Sequence, residues 1–138
     1  MQGSLFIVAS AGIVFALGTV HLLYTFLTPK FDPRDADLAA RMREVSPVLT
    51  RQTTMWKAWV GFNASHSLGA QLFGAVYGYL AFVHKSFLAQ STFLLTLGLV
   101  LLLAYLVLAW RYWFAIPLRG LLLATACYVA GWALGIAS

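Results

Sequence analysis

His21, Asn63 and His66 stand inside long apolar stretches of the chain, where an ionisable or strongly polar side chain needs a partner or a function. Two neutral imidazoles from neighbouring helices could hold a haem or a copper or zinc ion, because imidazole is a ligand for all of these. The same groups could instead orient and polarise a lipid-soluble molecule, with Arg51, Lys57 or Arg111 meeting an anionic headgroup at the rim. A third reading needs no ligand, since histidine and asparagine inside a membrane also serve as interhelical hydrogen-bonding groups worth about 0.6 kcal/mol each. The cluster extends by helical spacing. Trp59, Asn63, His66 and Ala70 fall at i, i+4, i+7 and i+11 and share one face, and Tyr24 stands one turn from His21. Tyr105 and Thr125 reach a comparable depth on two further helices. The candidate ligand-binding residues are therefore His21, Tyr24, Trp59, Asn63 and His66, joined by Tyr105 and Arg111, with His21 and His66 as the candidate metal or haem ligands.

Equally informative is what these stretches lack. All four acidic residues, Asp32, Asp35, Asp37 and Glu44, fall in one connecting segment. A carboxylate-driven proton-coupled pump, di-iron carboxylate chemistry and a two-carboxylate hydrolase all require acids that the apolar stretches do not supply. Cys127 is the single cysteine, which excludes an intrachain disulfide and a Cys-x-x-Cys redox pair; a lone cysteine in an apolar helix reads as a small packing residue.

The elements that must position this cluster follow from composition. The chain has 138 residues, of which 62% are hydrophobic and 9% charged, with a mean hydropathy of +0.84. A typical soluble domain carries roughly 25% charged residues. Four stretches reach the ~20 helical residues that a hydrocarbon layer requires: Leu5 to Thr28, Trp56 to Val83, Phe87 to Trp110 and Ile116 to Ile136. The first has no basic n-region and exceeds the length of a signal-peptide core, so it reads as a retained span. The expected fold is all-α: one domain, residues 1–138, forming an integral membrane bundle of four transmembrane helices.

The net charge of +5 is distributed by topology, without the basic stripe and interleaved aromatics of a nucleic-acid-binding surface. Lys30, Arg34, Arg41, Arg43, Arg51 and Lys57 flank the first connection and Arg111 and Arg119 the third, while Lys85 lies in the second. The positive-inside rule makes the first and third connections cytoplasmic and puts both termini outside, in a bacterial cytoplasmic membrane. Trp56, Trp59, Trp110, Tyr112 and Trp113 gather at the inner edge as interfacial anchors. Within the first connection, Asp32 before Pro33 predicts a helix start, Leu38, Met42 and Val45 form an apolar stripe, and Pro47 ends the run, giving a short amphipathic interfacial helix between the first and second spans. A tight turn is expected around His84 to Ser86, and Pro117 is expected to open the last helix. Ala70, Gly74 and Gly78, and separately Gly131 and Gly135, form small-residue ladders suited to close helix packing, within the bundle or between copies of the chain.

The run Leu49-Thr50-Arg51-Gln52-Thr53-Thr54-Met55-Trp56-Lys57-Ala58-Trp59-Val60-Gly61-Phe62-Asn63-Ala64-Ser65-His66-Ser67-Leu68-Gly69 resembles the signature of a small bacterial family of four-helix membrane proteins. His21 to Phe26, Lys30 to Asp35 and Ala109 to Phe114 extend the resemblance over nearly the whole chain. It implies the fold and no activity. A looser similarity is to the membrane-associated proteins in eicosanoid and glutathione metabolism, which are glutathione-dependent trimers. Lys57 and Asn63 on the second helix and Arg111-Tyr112 on the third match that family's pattern, but His66 stands where the family has a glutamate that helps hold glutathione.

Two functions from different classes follow. One is an accessory or ligand-binding membrane protein holding a lipid, quinone-like molecule or cofactor in a pocket in the cytoplasmic half of the bundle. The other is a membrane-embedded transferase or isomerase acting on a lipophilic substrate. Membrane lipid and a homo-oligomer or larger membrane complex are the expected partners, with no nucleic acid.

Overall fold

The computed structural model describes residues 2–136, which are all-helical and contain no strand. Six α-helices follow in order: α1 (Gln2–Leu27), α2 (Ala36–Glu44), α3 (Met55–Val83), α4 (Lys85–Gln90), α5 (Thr92–Tyr112) and α6 (Ala115–Ala133), with a 3-10 turn at Pro29–Phe31. Among the described residues, α1, α5 and α6 are long and apolar enough to cross a membrane. Only 28%, 22% and 22% of their most apolar windows is buried inside the protein, so most of that apolar surface faces outward, where water would be an unfavourable solvent. The 29-residue α3 is longer than any of them, but Lys57, Asn63, His66 and Gln71 lower its hydropathy and it falls outside that group.

Several boundaries differ from the sequence expectation, each for a local reason. The stretch expected to run unbroken from Phe87 breaks at Ser91. Its N–H donates to Leu88 O at 3.2 Å, closing α4, and its Oγ accepts from Leu94 N at 3.3 Å, capping α5. The expected tight turn is thus followed by the short helix α4, pinned by the fully buried Leu88. The amphipathic helix starts at Asp35 instead of Asp32. Asp35 Oδ1 accepts from the backbone N–H groups of Asp37 (2.9 Å) and Leu38 (3.2 Å), the geometry of an N-cap. Asp32 instead ends the 3-10 turn, donating its N–H to Pro29 O at 3.0 Å. At α6, Phe114 is the N-cap and Pro117 sits in the first turn, where a missing N–H breaks no helical bond.

The chain divides into two compact units: Met1–Leu17 with Ala70–Ser138, and Gly18–Gly69. The larger unit holds the apolar core, including Ile7, Val14, Phe73, Leu102, Leu121 and Tyr128. Within it, small residues set how closely the helices approach. A Cβ on Gly74 would fall 2.6 Å from Ala11 O, and one on Gly131 would fall 2.7 Å from Gly3 O, so α1 meets both α3 and α6 at backbone distance. These ladder positions pack inside the chain. Gly135 serves differently. At φ 81 it takes the left-handed conformation just past the end of α6, with its N–H on Trp132 O.

A second close approach joins α3, α5 and α6. Tyr77 donates its hydroxyl to Leu94 O at 2.7 Å, and Tyr128 donates to Leu95 O at 3.0 Å. The two rings stand edge to face at 5.8 Å, with Phe73 stacked on Tyr77 at 4.6 Å. Both phenols reach the first turn of α5 because Gly98 has no side chain there: a Cβ would collide with the Tyr128 hydroxyl and lie 2.7 Å from the Tyr77 ring.

Gly98→Ala should therefore cost about 1–3 kcal/mol through overpacking, whereas Tyr128→Phe should cost about 0.6 kcal/mol for one interhelical bond. Reversible unfolding in mixed micelles checks the order. A Gly98→Ala variant as stable as the parent would contradict the packing.

Candidate functional site

The smaller unit contains the end of α1, the 3-10 turn, α2 and the start of α3. Here His21, Asn63 and His66 meet. His21 Nε2 lies 2.9 Å from Asn63 Oδ1, and the two imidazoles stand edge to face with centroids 5.2 Å apart and planes at 67°. All three residues are partly buried.

The hydrogen-bond chemistry fixes who donates. Asn63 Nδ2 donates to Trp59 O at 2.9 Å, and a backbone carbonyl can only accept. The amide oxygen must then face His21, and it too can only accept. His21 Nε2 therefore carries the proton, and in the neutral ring Nδ1 keeps its lone pair. The chain of bonds continues: Trp59 Nε1 donates to Phe31 O at 3.0 Å, and the Phe31 ring lies 4.4 Å from that of His21. His21, Asn63, Trp59 and Phe31 thus close a ring of contacts linking the end of α1, the 3-10 turn and the first turns of α3.

Hydroxyls nearby are engaged with helix backbone. Thr25 Oγ1 donates to His21 O at 2.8 Å, and Ser67 Oγ, fully buried, donates to Asn63 O at 2.9 Å. Tyr24 reaches the cluster only through Phe31, at 6.5 Å between rings, and its own face carries Lys30 Nζ at 4.0 Å. Tyr24 is thus a cation–π anchor at the edge of the site. Tyr105 and Arg111 belong to the larger unit. There Tyr105 is half-buried beside Trp113 at 6.4 Å, and Arg111 is exposed in the last turn of α5.

Phe31 is the member that the sequence pattern did not reveal. Its signal is local: Pro29, two residues past the end of α1, starts a 3-10 turn, and Thr28 Oγ1 caps it by accepting from Lys30 N at 3.3 Å. A turn so short folds the next aromatic back over the helix it follows.

The arrangement constrains the cofactor reading. Rings in edge contact at 5.2 Å leave no slot between them for a porphyrin plane, and with Nε2–H held by Asn63 the nitrogen of His21 left to a metal ion is Nδ1. Among the described residues no group of three or more His, Cys, Asp or Glu side chains is placed to hold a metal ion. What the cluster offers is directional hydrogen bonding, from an imidazole that keeps a lone pair on Nδ1 and a second imidazole in edge contact with its ring. Comparison with protein-family profiles, characterised proteins and solved structures finds no match to this chain.

The proton assignment is open to direct measurement. Long-range proton–nitrogen spectra of ring-labelled protein should show His21 as the Nε2–H tautomer, and Asn63→Leu should release it to a mixture of tautomers. A Nδ1–H signature in the parent protein would contradict the assigned network.

Proposed function

We propose that the chain is a four-span integral membrane protein of the bacterial cytoplasmic membrane, and that its His21–Asn63–His66 cluster binds a lipophilic ligand with a polar head, of the quinone or quinol kind. In this reading α1, α3, α5 and α6 form an antiparallel bundle, the basic first and third connections face the cytoplasm, and both termini face outward. Support for α3 as the fourth span comes from its exposed face. Leu72, Val76, Tyr79 and Phe82 recur at helical spacing and are all exposed, an apolar stripe suited to lipid. No acidic residue lies on α3, and Asn63 and Ser67 turn their side chains onto the protein's own groups.

One observation carries the ligand reading: an imidazole whose Nε2–H is held by an asparagine, leaving an acceptor lone pair, stands against a second imidazole in an otherwise apolar helix environment. A hydroxyl-bearing head donates to such a lone pair, as a quinol does. Phe31 and the 43%-exposed Trp59 supply flat apolar faces beside it.

Binding of a short-chain quinol to the purified protein in nanodiscs, followed by tryptophan quenching, tests the reading. Saturable binding is expected, weakened about tenfold or more by His66→Ala, the loss of about 1.4 kcal/mol, and unchanged by His84→Ala. Equal binding by the parent and the His66→Ala variant would overturn it.

A further inference from the structure

The segment between α2 and α3 ends in an unusual tip. Met55 N donates to Val45 O at 2.8 Å, closing residues 46–54 into a loop at the base of α3. At its far end Thr50 N bonds to Pro47 O at 3.2 Å, which makes Pro47-Val48-Leu49-Thr50 a hydrogen-bonded turn. The two central residues of such a turn are ordinarily polar or glycine. Here they are Val48 and Leu49, with relative exposures of 107% and 93%. Neither aliphatic side chain packs on the protein at all.

The surroundings indicate what covers them. Leu38 and Val45 on α2 are also exposed, at 50% and 47%, and the hollow they line with Met42 and Met55 has Asp35, Asp37 and Arg41 on its polar side, away from the loop tip in sequence. The loop itself carries Arg51 and no acid, and the chain has no acidic residue after Glu44. Basic side chains also bracket the loop: Arg43 lies over the Trp56 ring at 4.5 Å, and Lys57 is exposed on the first turn of α3. Aliphatic tip residues beside cations and an interfacial tryptophan match a surface that is apolar within and anionic at its rim.

We propose that the Pro47–Thr50 turn is a membrane-dipping tip: Val48 and Leu49 insert below the headgroups of an anionic leaflet, with Arg51 at the phosphate level. The inference rests on the reading of the chain as a membrane protein and is independent of the ligand proposed for His21 and His66. It assigns the loop an anchoring role, fixing the start of α3, and with it Trp59 and Asn63, against the bilayer surface.

Nitroxide labels on single cysteines test this in a Cys127→Ala background, in nanodiscs of phosphatidylcholine and phosphatidylglycerol at about 3:1. At positions 48 and 49, collision with oxygen should exceed collision with a water-soluble nickel chelate at least threefold, and at Ala40 on α2 the order should reverse. Labels at 48 and 49 as open to nickel as Ala40 would overturn the proposal. So would low access to both agents together with spin–spin broadening, which would mean that a second copy of the chain covers the tip. A label on α5 at Leu101 reports insertion of the protein independently, so failure of the membrane reading itself is distinguishable from failure of the tip.

Discussion

Polar side chains along the helices turn their hydrogen-bonding groups onto the protein's own backbone, and the candidate site is built from the same habit. Thr25, Thr28, Ser65, Ser67 and Thr125 each turn a hydroxyl onto a backbone carbonyl three or four residues earlier. Asn63 does the same with its amide nitrogen. Tyr77 and Tyr128 reach across to carbonyls of α5. In apolar surroundings an unbonded polar group is unfavourable, so each such residue uses its hydrogen-bonding capacity inside the protein. Ser10 Oγ, fully buried on α1, is an exception among the described residues and has no partner there.

The same backbone bonding gives the histidine–asparagine cluster its character. Because the Asn63 nitrogen is committed to Trp59 O, the amide has one orientation, and that orientation sets the proton on His21. A short-range backbone bond thereby determines the chemistry of a side chain on another helix, 42 residues away. Removing the Trp59–Phe31 bond would loosen the 3-10 turn that lays Phe31 over His21, so the site depends on the geometry of the first connection as much as on the two helices.

Helix periodicity in the sequence places Trp59, Asn63 and His66 on one face, and depth counting brings His21 near them, so the meeting of these side chains can be read without coordinates. The position of Ser91 is harder to read, because a capping serine inside an apolar run leaves hydropathy almost unchanged while it splits the helix. The start of α2 turns on which carboxylate aims at free N–H groups, and it is Asp35, three residues beyond the expected Asp32, that does so. Phe31 is hidden for a different reason: its role comes from a turn that folds back, which neither a period of 3.6 nor a depth estimate describes. Tyr24 shares the right helix level with His21, but its ring is occupied by Lys30.

Whether the histidine–asparagine cluster holds a lipophilic molecule can be decided by native mass spectrometry of the protein released from nanodiscs. One lipophile of defined mass should be retained per chain and lost on the Asn63→Leu substitution that frees His21. A parent protein that carries only the heterogeneous lipids of its surroundings, unchanged by that substitution, would contradict the ligand-binding role and leave the cluster as a set of interhelical hydrogen bonds.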